Sequence, residues 1–129
     1  MMSSESLRGY GKKQFAIDGW KCRYCGLDCS KFELWLFLCL GHIIPKQQQN
    51  EVNTDLDDPR NYATACRMCN GFGNKTKFVI PKDASFEKQI ASVFDQKKKL
   101  IMEKRTEWHE YWSKNVKPYL GEAKKNGER

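Results

Sequence analysis

CRYCG (residues 22–26) and CRMCN (residues 66–70) are the two stretches of sequence that decide how this chain folds. Each contains a Cys-x-x-Cys pair, which can form a tight turn that points two sulfur atoms at one position. Two such pairs supply the four thiolates that zinc prefers in tetrahedral structural sites. We therefore predict one structural zinc ion, bound by the four cysteines of these motifs: Cys22, Cys25, Cys66 and Cys69.

The segment between the two motifs carries the residues best suited to chemistry. Forty residues separate Cys25 from Cys66, which is more than the usual spacing of a zinc ribbon. The zinc would therefore close a long loop, and the sequence GHIIP (residues 41–45) lies inside it. Asn61 stands before the second motif and Asn70 directly after its last cysteine. This layout indicates a zinc that serves as scaffold, with a functional site in the enclosed loop.

The composition of the chain indicates its domain number, its class of binding partner and its compartment. A chain of 129 residues with 40% apolar content predicts one domain with a small core. The formal charge of +7 favours a polyanion, nucleic acid before an anionic membrane surface. The polar N-terminus does not resemble a signal peptide, and the longest apolar run, residues 34–40, is too short to span a bilayer. We therefore expect a cytoplasmic protein, in which six cysteines are better suited to metal than to disulfides.

Periodicity and punctuation predict an α+β domain covering residues 1–129. Its core spans about residues 18–77. A short N-terminal helix is predicted before it, over about 7–17. The C-terminal helix is predicted over about 85–115, because apolar residues recur there at spacings of four and seven. The remaining predictions are a strand at 37–40, a surface loop at 46–60, a strand at 61–64, a helix at about 66–77 and a disordered tail at 121–129.

The combination of CRYCG, HIIP, Asn61 and CRMCN resembles the HNH endonucleases of the zinc-bound, ββα-metal type, over about residues 18–77. The resemblance implies a two-stranded hairpin followed by a helix, which together grip one catalytic Mg²⁺ or Mn²⁺ ion. It also implies hydrolysis of phosphodiester bonds, usually in DNA.

The resemblance carries residue roles as well. The family's general base falls on His42, and a neutral imidazole can take a proton from water near pH 7. Its central asparagine falls on Asn61, which would orient the histidine loop through backbone hydrogen bonds. Its third signature residue, a metal ligand, falls on Asn70. Asn74 is four residues further on, so on a helix it would share the face of Asn70 and is a second candidate ligand.

Gly41 departs from the family pattern, which has a metal-binding aspartate, sometimes a histidine, at this position. Neutral amides without a carboxylate should bind a divalent ion weakly. Either an acid of the following loop substitutes, with Glu51, Asp55, Asp57 and Asp58 as candidates, or catalysis is impaired. The predicted function is therefore a metal-dependent DNA endonuclease, with a zinc-stabilised DNA-binding module as the alternative from a different class.

Basic side chains supply the candidate DNA contacts: Arg67, Lys97, Lys98, Lys104 and Arg105. Arg67 follows Cys66 directly and is the nearest to the predicted site. Cys39 is interpreted as a small core residue, Cys29 as either a core residue or a stray ligand, and His109 as a surface residue. The amphipathic C-terminal helix could mediate a homodimer or simply cover the core.

Overall fold

The computed structural model describes residues 10–73 and 76–126. The described part is α+β, as the sequence predicts, with two strands, five α-helices and two short 3₁₀ turns. The strands are β1 (Leu38–His42) and β2 (Tyr62–Cys66). The helices are α1 (Tyr10–Ile17), α2 (Phe32–Trp35), α3 (Arg67–Gly73), α4 (Phe86–Asn115) and α5 (Lys117–Asn126).

The two strands form an antiparallel pair in which Leu38 lies opposite Cys66 and His42 lies opposite Tyr62. Side chains alternate between the two faces of a strand. Leu38, Leu40 and His42 therefore share one face of β1, and Gly41 belongs to the other. Both strands begin one residue later than predicted and extend two residues further. The apolar run alone did not fix their ends, which follow from the pairing with the partner strand.

Helix α3 begins directly after β2, so the second cysteine motif spans the junction of strand and helix. The sequence predicts a helix to about residue 77, but α3 ends at Gly73. A Cβ atom at Gly73 would lie 3.3 Å from side-chain atoms of both Lys97 and Ile101. The absence of a side chain at Gly73 thus allows α3 and α4 to approach closely.

Helix α4 confirms the prediction for residues 85–115. Ser85 is its N-cap, and the Ser85 hydroxyl accepts a hydrogen bond from the backbone N–H of Lys88 at 3.2 Å. Only the first half of the helix is buried, since its last buried residue is Ile101. Trp108 and Trp112, which extend the apolar pattern in the sequence, are 57% and 39% exposed.

The prediction of a disordered tail from residue 121 is wrong as far as residue 126. Residues Lys117–Asn126 form α5. Pro118 lies in the first turn of α5, where a missing backbone N–H is tolerated. Glu122, Ala123 and Lys124 that follow have high helix propensity, which explains why the chain remains helical there. Residues 127–129 lie outside the described part of the chain.

The segment 46–60 is also less of a surface loop than its composition predicts. It contains the 3₁₀ turns Lys46–Glu51 and Pro59–Asn61. Leu56 and Gln48 are buried. The Gln48 amide donates to the carbonyl of Phe78 at 2.8 Å, and its oxygen accepts from the N–H of Phe78 at 3.0 Å. This paired contact satisfies a buried polar side chain and fixes the loop against the segment before α4.

Candidate metal centre and active site

The first cysteine motif forms a compact turn before α2. The N–H of Cys22 donates to the carbonyl of Leu27 at 3.0 Å, and the N–H of Gly26 donates to the carbonyl of Cys22 at 2.8 Å. Gly26 has φ +79°, a conformation that glycine adopts without steric penalty. The turn is also tied to the hairpin, because the N–H of Arg23 donates to the carbonyl of Thr64 at 3.0 Å.

The second motif brings its two sulfur atoms to the same place. Cys66 ends β2, and Cys69 lies in the first turn of α3, where its N–H donates to the Cys66 sulfur at 3.5 Å. Cys25 Sγ and Cys66 Sγ are 3.9 Å apart, and the four sulfur atoms lie within 4.8 Å of one another. A zinc ion with four Zn–S bonds of about 2.3 Å requires sulfur atoms roughly 3.8 Å apart. The four cysteines therefore could hold a structural metal such as zinc.

The protonation of the cluster favours the same conclusion. Hydrogen bonds from the thiols of Cys66 and Cys69 lower the pKa of Cys22. The same contact with Cys22 raises the pKa of Cys66 to about 11, and contacts with Cys22 and Cys66 raise the pKa of Cys69. One thiolate is thus stabilised by neighbours that keep their protons. A divalent cation would stabilise all four thiolates and release those protons.

Two further residues near the cluster have roles that the sequence left open or assigned differently. Arg105, a candidate DNA contact, points its Nη1 at the Cys69 sulfur at 3.9 Å and at the Met68 sulfur at 3.5 Å. Its charge therefore lies against the negative cysteine cluster. Cys29 is fully buried with Phe15 and Leu38 and does not belong to the four-sulfur group, so it is a core residue.

Asn61 organises the loop that follows His42. The Asn61 side chain is fully buried. Its Oδ1 accepts from the N–H of Ile44 at 2.8 Å, and its Nδ2 donates to the carbonyls of Ile44 and Leu56, both at 3.0 Å. Its backbone carbonyl accepts from the N–H of Ile43 at 2.8 Å. One asparagine therefore ties Ile43 and Ile44 of the GHIIP segment to Leu56, through backbone hydrogen bonds of the kind that the resemblance implies.

His42 is at the end of β1, and its ring faces the 46–60 segment. Its Nε2 lies 2.8 Å from Oδ1 of Asp57, and the other carboxylate oxygen accepts from the Lys46 ammonium at 2.7 Å. The Lys46 ammonium and the His42 ring hold the pKa of Asp57 below its ordinary range. The edge of His42 also packs against Tyr62, with ring centroids 5.4 Å apart. Asp57 was considered only as a substitute metal ligand, because the fifteen-residue separation from His42 carries no recognisable pattern.

Gly41 and Asn70 are brought together, as the resemblance implies. A Cβ atom at position 41 would lie 2.9 Å from Oδ1 of Asn70. The Asn70 amide thus occupies the space that a side chain at position 41 would need. Asn74, the second candidate ligand, lies outside the described residues.

The acids of the 46–60 segment have other partners. Glu51 accepts a hydrogen bond from Gln48, Asp55 accepts one from the backbone N–H of Asp57, and Asp58 binds Arg60. In residues 10–73 and 76–126, the four cysteines are the only group of three or more His, Cys, Asp or Glu side chains close enough to share a metal ion.

Lys97 was predicted to contact DNA, but it is buried, with only 7% of its surface exposed. Its ammonium donates to the backbone carbonyl of His42 at 2.7 Å and lies 5.5 Å from the centre of the Phe78 ring. Burial lowers the pKa of Lys97 to about 8. Lys97 therefore links α4 to the backbone of His42, at the end of β1. Of the other candidate DNA contacts, Lys98 and Arg67 are exposed and Lys104 is half-buried.

We expect Lys97 to make stability depend on pH above neutrality. Below pH 8 the ammonium is charged in the folded and the unfolded chain, and the buried charge destabilises the fold. Between about pH 8 and the ordinary pKa of 10.5, the folded protein loses this charge first, so the penalty disappears. Urea unfolding at pH 7 and pH 10 should show wild type gaining roughly 2 kcal/mol relative to Lys97→Met.

The matched control for this measurement is Lys98→Met, because Lys98 is exposed beside Lys97 on the same helix. This variant should follow wild type at both pH values. The remaining titratable groups are the same in all three proteins, so their contributions cancel when the proteins are compared. Identical pH dependence in the two methionine variants would show that the Lys97 ammonium is not buried in solution.

Comparisons with family models, with curated proteins and with solved structures gave no significant match for this chain. Within the described residues, each helix is too short or too polar to cross a membrane.

Proposed function

We propose that this chain is a metal-dependent nuclease that hydrolyses DNA phosphodiester bonds with His42 as the general base. The observation that carries the proposal is the environment of His42. Its ring nitrogen contacts Asp57, its carbonyl is held by Lys97, and the turn after it is held by Asn61. A histidine fixed from three elements is poised for one orientation, which proton transfer requires.

The chemistry follows from the hydrogen bond between His42 and Asp57. An ionised Asp57 accepts a hydrogen bond from the Nε2–H group of His42, so the lone pair of the neutral ring is on Nδ1. Nδ1 then takes a proton from water as the water oxygen bonds to phosphorus. The bond from phosphorus to the leaving sugar oxygen breaks, and that oxygen takes a proton from solvent. Asp57 stabilises the imidazolium formed on the way.

A Mg²⁺ or Mn²⁺ ion at Asn70 would supply the remaining stabilisation of the transition state, because it would neutralise the charge that develops on the phosphate. Mg²⁺ keeps several of its waters and takes few protein ligands when phosphate oxygens are available. One neutral amide is nevertheless a weak donor set. We therefore expect such an ion to bind mainly together with DNA, and at high concentration.

The second candidate function is a zinc-stabilised DNA-binding module without catalysis. A specific observation favours it, since Oδ1 of Asn70 fills the position where the family places a metal-binding side chain. The exposed lysines and arginines would then serve phosphate contact alone.

Nicking of supercoiled plasmid distinguishes the two functions. Protein with its zinc intact is incubated with no added divalent ion, with Mg²⁺ and with Mn²⁺. The nuclease proposal expects relaxed circles only when a divalent ion is added. Retarded but uncut plasmid under all three conditions would contradict it and favour the binding module. Chelators are avoided in this assay because they would also remove zinc.

We expect Gly41→Asp to lower the concentration of divalent ion that cleavage requires. The new carboxylate would lie beside Asn70 Oδ1, whose amide is the end of a side chain and can rotate away from the 2.9 Å contact. A charged oxygen is a better ligand for a hard cation than an amide. The nicking rate measured against Mg²⁺ concentration should therefore reach half its maximum at about a tenth of the concentration that wild type requires.

Gly41→Asn is the matched control, because it introduces the same crowding without the charge. It should show no gain in magnesium affinity. If Gly41→Asp and Gly41→Asn give the same curves as wild type, position 41 does not face the ion. In that case, replacing Asp57 should be the more damaging change.

A further inference from the structure

An aromatic groove lies on the surface formed by α1, the turn after it and α2. It has a volume of about 450 Å³ and is lined by Lys12, Trp20, Ser30, Phe32 and Trp35. Three of the five lining side chains are therefore aromatic. Phe32 is 75% exposed, although it is among the largest apolar residues in the chain. A large apolar ring left this open on a small domain is a candidate contact for a partner.

The floor of the groove is rigid. Trp20 has φ +60°, a backbone conformation that residues other than glycine rarely adopt. It is held by two backbone hydrogen bonds, from its N–H to the carbonyl of Phe15 at 2.8 Å and from the N–H of Cys29 to its carbonyl at 2.9 Å. Its ring meets Phe15 edge to face, with centroids 6.1 Å apart. The indole is thus fixed in place before any ligand arrives.

The lining has the chemistry of a nucleotide site. Flat aromatic faces stack on nucleobases of any sequence, and such stacking is a main source of affinity for single strands. Lys12 adds a cation at the rim for a phosphate, and Ser30 adds a hydroxyl. Lys21 and Lys31 lie on neighbouring exposed positions of the same region. An aromatic peptide would use the rings but would gain nothing from this excess of lysine.

The groove and His42 are connected through one layer of the core. Trp20 and Tyr62 both pack against the cluster of Phe15, Leu38 and Leu40, and Tyr62 in turn contacts His42. Trp20 of the groove and Tyr62 beside His42 therefore share one core cluster.

We propose that this groove binds an unpaired base of a single-stranded or frayed DNA segment that flanks the site of cleavage. The inference rests on the proposed function, because it supplies a substrate class for the His42 site. It makes DNA with unpaired bases beside a duplex the preferred substrate.

Fluorescence anisotropy tests this with the 129-residue chain loaded with zinc and three labelled probes. These are a twelve-nucleotide oligothymidine, a twelve-nucleotide abasic strand with the same phosphates, and a twelve-base-pair duplex. We expect oligothymidine to bind more tightly than the abasic strand, because only the former can stack. Phe32→Ala should weaken oligothymidine binding at least about fivefold and leave abasic-strand binding unchanged.

Two controls match the chain's own residues. Trp108→Ala removes another exposed aromatic side chain, from α4, and Lys13→Ala removes a lysine next to Lys12 that does not line the groove. Both should bind oligothymidine nearly as wild type does, whereas Lys12→Ala should weaken both single-stranded probes. Phe32 lies on the surface, so its replacement should leave zinc content and the circular dichroism spectrum unchanged.

The outcomes separate the two proposals. Equal binding of oligothymidine by Phe32→Ala and Trp108→Ala overturns the groove proposal, even if plasmid is nicked and duplex is bound. Equal affinity of wild type for oligothymidine and the abasic strand also overturns it. If wild type binds none of the probes and leaves plasmid uncut, the nuclease proposal fails first and the groove proposal fails with it.

Discussion

Cys66→Ser is expected to unfold the domain. Cys66 ends β2 and places its sulfur 3.9 Å from that of Cys25, so it joins the first cysteine turn to the hairpin. Structural zinc sites with four protein ligands contribute about 10–16 kcal/mol in small domains. A typical domain is stable by only 5–15 kcal/mol, so loss of the ion leaves little. Circular dichroism and zinc content of the purified variant should show an unfolded, metal-free chain.

Cys39→Ser is the matched control for this experiment. Cys39 lies on β1 and is half-buried, but it is not among the four sulfur atoms of the cluster. This variant should keep one zinc ion per chain and its secondary structure. A folded Cys66→Ser protein without zinc would contradict the scaffold role of the metal.

His42→Ala is expected to lower the nicking rate by about 10²- to 10⁴-fold, the usual contribution of a general base. Its effect on folding should be small, since the Ile43 turn is held by Asn61 and the His42 carbonyl that Lys97 contacts is backbone. DNA affinity should also change little. Asp57→Asn should reduce the rate less, because it removes the partner of the base and leaves the base itself.

His109→Ala provides the control, because His109 is the second of two histidines in the chain and is exposed on α4. It should nick plasmid at the wild-type rate. The variants are compared at equal zinc content, with thermal unfolding to confirm that each is folded. Cleavage by His42→Ala at the wild-type rate would remove this residue from the mechanism and leave the binding module as the better account.

Local spacing made the four-cysteine cluster predictable, whereas the hairpin was implied by the resemblance. A Cys-x-x-Cys pair fixes its own turn, and two pairs need only be brought together, so the four candidate ligands could be named before any fold was known. The sequence also indicated that Gly41 and Asn70 would be neighbours. That expectation depended on the resemblance, and the close contact between the two positions in the structure agrees with it.

Long-range partners were not predictable, because no local pattern records them. Lys97 belongs to a basic run on a helix, which looks like a solvent-exposed face until α4 is placed against β1. The exposed half of α4 shows the converse problem, since Trp108 continues an apolar period without a core to cover it. Asp57 was one of four acids in a polar segment, and only the fold selects it for His42.

The contact between Lys97 and the His42 carbonyl also has a consequence for how the protein matures. A chain emerges from the ribosome with its N-terminal residues first. All four cysteines therefore emerge before α4 begins, whereas the contact to the His42 carbonyl needs the first twelve residues of that helix. A nascent or truncated chain ending before Lys97 would hold the four cysteines but not this contact. The cysteine cluster is therefore complete in the nascent chain before the residue that anchors the His42 backbone.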